Sequence, residues 1–281
     1  MVDPDGERRV VDGTGREVVL PRAPRRIVSL VPSTTETLAS LGLGGAVVGR
    51  TRYCVHPRPW VDGVPTVGGT KTPDLVRIAA LEPDLILANE EENRPAHFPE
   101  LETVAPLYVA RPRDVTSAVE DVRRLGQLTG AEEAADLWES ALRPDLEALR
   151  AAARPFSYAC LVWRSPWMAA DDTTYIAGLL GEAGGRNVIG EGASRYPEVS
   201  LEELVAADPD VVLLPSEPYA FEPEHADELG PLAERACLLD GERLCWHGTR
   251  LAEALPWLTA MDLGARAQRE TLGGGAEQGA G

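Results

Sequence analysis

Two stretches of this chain repeat each other 126 residues apart. Leu75, Ile78, Ala80, Pro83 and Asp84 meet Leu201, Leu204, Ala206, Pro209 and Asp210 in one register. The residues that follow pair as Leu85/Val211, Ile86/Val212 and Leu87/Leu213. A solenoid repeats every ~20–50 residues, so a single long period excludes that architecture. It predicts two similar bodies within the 281 residues, a length that buries sizeable cores without staples.

Each repeat alternates strands with helices. Ile27–Val31 is a short β-branched run ended by Pro32, and Ser33-Thr-Thr-Glu36 reads as a capping box opening a helix. Ala46–Gly49, Asp84–Ala88 and Leu107–Ala110 read as further strands, and Thr72-Pro73 as the start of a helix through Leu81. In the second half, Ser157–Trp163, Asp210–Leu214 and Arg243–Trp246 read as strands. Thr174–Ala183 and a segment capped by Ser200 and Glu203 read as helices, and Arg250–Gly264 as the last one. Between the halves, Ala135, Trp138, Leu142, Leu146 and Leu149 mark an apolar helical stripe that Pro144 should interrupt. The fold class is therefore α/β: two Rossmann-like lobes with mostly parallel sheets, joined by a long backbone helix, with a ligand cleft between the lobes. The expected boundaries are 1–115 for the first lobe, 116–154 for the link, 155–268 for the second lobe, and 269–281 for a disordered tail.

Charge narrows the function. Forty-five acidic residues against 27 basic ones give a net charge of −18, which disfavours nucleic-acid and anionic-membrane partners. No run of 18 apolar residues is present, so membrane insertion is not expected. The N-terminus has no apolar stretch, so the sequence as given reads as leaderless and cytoplasmic. A start codon further upstream would make it a periplasmic or cell-surface protein.

The ordered segments Arg26-Ile-Val-Ser-Leu-Val-Pro-Ser-Thr-Thr-Glu36, Val48-Gly49, Val67-Gly-Gly69 and Ile78-Ala-Ala-Leu-Glu-Pro-Asp84 carry a further signal. Together with Leu179–Val188 and Pro197–Glu203, they resemble the class III periplasmic substrate-binding proteins. These are the vitamin-B12- and iron-siderophore-binding components of ABC importers, also called helical-backbone metal receptors. The resemblance covers residues 16 to 265, in a leaderless variant. It implies non-catalytic capture of a metal-bearing small molecule: a corrinoid such as cobalamin, a ferric siderophore or a tetrapyrrole. It also implies docking of a surface glutamate from each lobe onto an ABC permease. Glu202 fits the second docking position, whereas the first falls on Val76. Tryptophans that line the first-lobe cleft of the B12 binder fall on Thr70 and Asn89, while Tyr196 keeps an aromatic in the second lobe.

Read for chemistry, the candidate ligand-binding residues are Pro32, Ser33, Tyr53, Lys71, Asn89, Arg164, Trp167, Arg195, Tyr196, Tyr219, Trp246 and Arg250. Trp167, beyond Pro166, is favoured over Trp163 as the stacking ring. Arg164, Arg195 and Arg250 offer bidentate donors for carboxylates or phosphates, and Lys71 sits where a helix start would reinforce it. Glu90–Glu92 would attract a cation. Cys54-x-His56 and Cys245-x-His247 repeat a thiol–imidazole pair that suits zinc, iron or an axial bond to a corrinoid or haem metal. No cofactor is required on this reading. Two alternatives remain: a cytoplasmic zinc, iron or haem carrier or sensor built on those pairs, and an enzyme with a Cys54 nucleophile beside His56. No GxSxG, HExxH or Walker loop supports the enzyme.

Overall fold

Parallel strands buried on both faces need apolar residues on both, and they organise each half of the chain. The computed structural model describes residues 6–273. An antiparallel hairpin, β1 (Arg8–Val11) and β2 (Glu17–Leu20), comes first. A strand β3 (Ile27–Ser29) leads into the helix α1 (Pro32–Ser40), followed by β4 (Val47–Arg50). Helix α2 (Leu75–Ala80), strand β5 (Leu85–Asn89), helix α3 (Phe98–Glu102) and strand β6 (Leu107–Ala110) complete this sheet, ordered β4-β3-β5-β6 with every pair parallel.

Two longer helices follow, α4 (Val115–Thr129) and α5 (Glu132–Ala152). Next come β7 (Phe156–Trp163), β8 (Met168–Ala169), α6 (Tyr175–Glu182), β9 (Gly185–Asn187), α7 (Leu201–Ala207) and β10 (Val211–Pro215). The chain continues through α8 (Pro223–Asp227), β11 (Ala236–Leu239), α9 (Gly241–Cys245), α10 (Leu251–Met261) and α11 (Leu263–Gly273). Strand β7 is flanked by β9 and β10, and β11 pairs with β10, all parallel; β8 adds antiparallel to β7. Hence β9-β7-β10-β11 has the strand order of β4-β3-β5-β6.

The chain falls into two compact units. Unit 1 extends to Pro112 and takes in Thr116–Ala141 and His247–Arg250; unit 2 takes Arg113–Val115, Leu142–Trp246 and the residues from Leu251 onward. The segment expected to link two lobes is thus divided between them, within α5.

Strand alternation builds the unit 1 core. Ile27, Leu85 and Leu87 face a cluster with Val10, Leu38, Tyr108 and Leu125, under the hairpin, α1 and α4. Val28, Ile86 and Ala88 face the other side, with Ile78, Leu101 and Val109, under α2 and α3. Each fully buried Leu or Ile contributes about 1.5–3 kcal/mol. Unit 2 gathers Ala159, Leu161, Leu204, Val212 and Leu214 likewise.

The repeat is held by repeated chemistry. The Asp84 carboxylate accepts from the Arg25 and Arg26 amides at the entry to β3. The Asp210 carboxylate accepts from the Ser157 amide and hydroxyl at the entry to β7. Glu82 and Asp208, one repeat apart, both turn the chain through left-handed backbone, at φ 46° and 47°.

Several local expectations are corrected. Helix α1 begins at Pro32, whose fixed φ suits the first turn, and no side chain caps it. The Ser33 hydroxyl is engaged elsewhere. Asp74, not Thr72, caps α2 by accepting from the Arg77 amide. The Ser200/Glu203 capping box of α7 forms as expected. Arg243–Trp246 is no strand: Asp240 accepts from the Arg243 amide and starts α9 there, and β11 lies earlier. Helix α5 runs through Pro144. The last helix is broken at Asp262, which has φ 40°, and a further helix spans Leu263–Gly273. Residues 274–281 of the expected tail lie outside the described residues.

Candidate functional site

In unit 1 the carboxyl ends of β3, β4 and β5 open into three loops. At the first, Ser33 is 4% exposed and its Oγ lies 3.2 Å from His247 Nε2. At the third, Asn89 Oδ1 accepts from the Glu91 and Glu92 amides at 2.7 and 3.1 Å. That fixes the Asn89 amide, so its Nδ2 donates to His247 Nε2 at 3.1 Å. An imidazole nitrogen that accepts a hydrogen bond carries no proton, so His247 is neutral and protonated at Nδ1. Its burial also pushes its pKa down to about 4. Asn93 locks the same loop: its Oδ1 accepts from the Asn89 amide, and its Nδ2 donates to the Leu30 and Thr70 carbonyls.

The tetrapeptide His247–Arg250 seats on α1 within unit 1. The Thr249 amide donates to Thr37 Oγ1 at 3.1 Å. Gly248 has φ +82°, and a Cβ there would stand 2.3 Å from Thr37 Oγ1. Arg250, 8% exposed, closes a fork on Glu36 at 2.8 and 2.9 Å. Arg250 is therefore engaged by a carboxylate of its own unit.

The loop after β4 carries Tyr53, 51% exposed, with the Arg52 guanidinium 5.0 Å over its ring. Cys54, next to it, is buried with its Sγ 3.2 Å from Thr51 Oγ1. Burial raises its thiol pKa, the reverse of what a nucleophile needs. His56 and Pro32 are half-buried. Lys71 is exposed and its Nζ donates to the Glu91 carbonyl.

In unit 2 the rings converge. Trp163 ends β7 and is 45% exposed. Its ring meets Tyr219 edge-on at 5.4 Å, and Tyr219 meets Phe221 at 4.8 Å. Phe221 stacks on Trp167 at 6.1 Å, and His225 meets Tyr219 at 5.5 Å. Trp167 and Tyr219 pack against the hydrophobic core, and Trp163 is the more exposed tryptophan of the two. Arg164 forms a fork on Glu228 with both bonds at 2.7 Å. Arg195 Nη2 donates to the Thr173 carbonyl at 3.1 Å, and Tyr196 is half-buried beside it in sequence. Trp246 is buried and its Nε1 donates to Glu217 at 2.8 Å, so it is a strut of the β10 loop. Cys245 Sγ reaches the Glu217 carbonyl at 3.5 Å. Among the described residues no three His, Cys, Asp or Glu side chains gather as a metal site, so neither Cys-x-His pair has the further protein donors a closed metal site needs.

Sequence reasoning missed Arg52, Phe221, His225 and the carboxylates Glu36, Glu217 and Glu228. The aromatic spacing of Tyr219 and Phe221 was a usable signal; the carboxylate partners had none. On the helices, Glu202 is exposed in the first turn of α7 and Val76 is 80% exposed on α2. Among the described residues no helix is long and apolar enough to cross a membrane.

Comparison with known proteins matches residues 27–229 to the family model described as periplasmic binding protein. The vitamin B12-binding protein of Vibrio campbellii is 26% identical over 192 residues, 67% of this chain and 70% of that protein. The crystal structure of the periplasmic vitamin B12 binding protein of Vibrio cholerae superposes with a TM-score of 0.75 at 20% identity, covering 88% of this chain and 98% of that one. The periplasmic heme-binding protein of Roseiflexus sp. RS-1 gives 0.74 at 24% identity, over 87% and 99%.

Proposed function

We propose that this chain, which belongs to the periplasmic binding protein family, is a substrate-binding protein for a planar metal chelate of the corrinoid or haem type. The supporting observation is the aromatic series Trp163–Tyr219–Phe221–Trp167, which presents a half-exposed tryptophan at the end of β7. A flat macrocycle offers such a series a π-face, worth about 0.5–1.5 kcal/mol per ring beyond the area buried. Relatives named for vitamin B12 and heme support the ligand class.

The role is capture without turnover. The relatives are binding proteins, and a buried Cys54 with a raised thiol pKa is poorly suited to nucleophilic catalysis. The chelate is cargo. Delivery to an ABC permease goes through Glu202 on α7, an exposed carboxylate suited to arginine partners; Val76 gives α2 no such pairing. The family description makes the periplasm the expected compartment, and fractionation of the native cell tests it.

A thermal-shift titration of the full chain with cobalamin, cobinamide, haem, ferric siderophores and zinc tests the reading, because a ligand of the folded state raises the midpoint above its Kd. A rise with a corrinoid or haem and none with zinc is expected. A rise with zinc alone transfers the function to the Cys-x-His pairs, and no rise with any chelate refutes the proposal.

A further inference from the structure

The unit 2 rings lean on a short helix whose first turn depends on one imidazole. His225 is half-buried on α8, and its ring meets Tyr219 at 5.5 Å and Phe221 at 5.9 Å, both edge-on. Its Nδ1 accepts from the Glu222 amide at 2.8 Å. A backbone amide can only donate, so Nδ1 carries no proton and the neutral ring is protonated at Nε2. The bond that starts α8 therefore also fixes the two rings just before it. Tyr219 supports Trp163 at 5.4 Å, and Phe221 stacks on Trp167. Past the other end of α8, Glu228 takes the fork of Arg164, the neighbour of Trp163. The segment from Tyr219 to Glu228 is thus tied to the β7–β8 turn at one end and to His225 Nδ1 at the other.

An imidazolium has two N–H groups and no acceptor. Protonated at Nδ1, His225 would set one N–H against the N–H of Glu222, and the ring has to turn away. The charged or titratable groups on the elements packed against it are Glu222, Glu224, Asp227 and Glu228 beside or on α8, Tyr219 before it, Arg164 from the β7–β8 turn, and Glu234 and Arg235 from the turn Gly230–Arg235. Arg164 is engaged by Glu228 and Arg235 by Asp208. The remaining carboxylates attract an imidazolium off the rings.

We propose that His225 is a positioning residue for the aromatic series and a proton-sensitive latch on it: the neutral ring holds Tyr219 and Phe221 in place, and protonation loosens them and weakens the hold on the cargo. This rests on the binding reading above and adds its regulation. It also leaves neither nitrogen of the neutral ring with a free lone pair for the cargo's metal.

The test follows affinity for cyanocobalamin and for haemin from about pH 7.5 to 5.5, the range in which imidazoles change charge. It uses the full chain as wild type, His225→Asn and His225→Gln, with thermal midpoints at the upper pH checking the fold. The asparagine oxygen takes the place of Nδ1 as an acceptor and does not titrate, whereas the glutamine amide reaches the position of Nε2. The wild type weakens by about three- to tenfold across the range, the equivalent of one lost hydrogen bond. His225→Asn binds within about threefold of wild type at the upper pH and stays flat, and His225→Gln is about three- to tenfold weaker there. The acid groups of haemin, His247 and Asp121 titrate alike in all three chains and cancel from the comparison. Equal pH slopes in wild type and His225→Asn, or equal affinities of the two variants, overturn the latch. Near-UV circular dichroism of the ligand-free chains is followed over the same range. If neither probe binds, the chelate reading fails; a signal that changes in the wild type and not in His225→Asn then upholds the latch, and matching curves overturn it.

Discussion

Two buried titratable groups of unit 1 give stability a pH dependence that cancels in the wild type and reappears when either is removed. His247 is neutral in the fold, its pKa lowered by burial from 6.5 to about 4. The unfolded chain takes up that proton below pH 6.5 and the folded chain does not, so stability falls as pH drops towards 4. At 1.36 kcal/mol per pH unit the loss approaches about 3 kcal/mol. Asp121 is buried with Tyr108 donating to its Oδ1 at 2.5 Å. Burial is the largest cause of its shift, from 3.8 up to about 6, the Tyr108 bond and Arg124 opposing it. Here the folded chain takes the proton first, so stability rises as pH falls from 6 towards 3.8, again by about 3 kcal/mol at the limit. Denaturant unfolding of wild type, His247→Gln and Asp121→Asn at pH 7, 6, 5 and 4 separates the two, because every other carboxylate cancels in the differences. The stability of His247→Gln relative to wild type climbs by about 3 kcal/mol from pH 7 to 4, and that of Asp121→Asn falls by about 2–3 kcal/mol. Difference curves flat within about 0.5 kcal/mol would refute the burial argument for both groups.

Glu36→Ala removes the carboxylate from the buried Arg250 fork and costs about 3 kcal/mol in chemical denaturation, and Glu36→Leu/Arg250→Leu recovers most of it. Gly248→Ala strains a left-handed backbone against Thr37, lowering stability by about 2 kcal/mol in the same assay. Trp167→Ala empties a half-buried slot beside Phe221 and costs about 2 kcal/mol, whereas Trp163→Ala leaves stability within about 1 kcal/mol of wild type.

Where sequence reasoning succeeded, the structure repeats with the sequence. Helices α2 and α7, and strands β5 and β10, begin 126 residues apart, the register read from Leu75/Leu201 and Leu85/Val211. The apolar runs of β3, β5, β6, β7 and β10 and the Ser200 cap are local signals, and they held, whereas the expected strand Arg243–Trp246 gave way to helix because Asp240 caps it. The candidate site was less legible, because its groups are decided by partners far along the chain. Arg250 meets Glu36 across 214 residues, His247 meets Asn89 across 158, and Arg164 meets Glu228 across 64. Nothing local distinguishes a paired arginine from Arg52. Ser33 resembled a cap because serine three residues before glutamate is a common cap; Pro32 started the helix instead and released the hydroxyl towards His247. Trp163 ends β7 while Trp167 lies in the turn before β8, a difference the segment's composition does not announce.

The central claim is that the chain holds a planar metal chelate against the unit 2 aromatic series. Tryptophan fluorescence of the full chain, titrated with haemin and with cobinamide, tests it most directly. Saturable quenching at one ligand per chain is predicted for at least one of them, weakened about tenfold or more in Trp163→Ala. Quenching that never saturates, or that persists unchanged without Trp163, contradicts it.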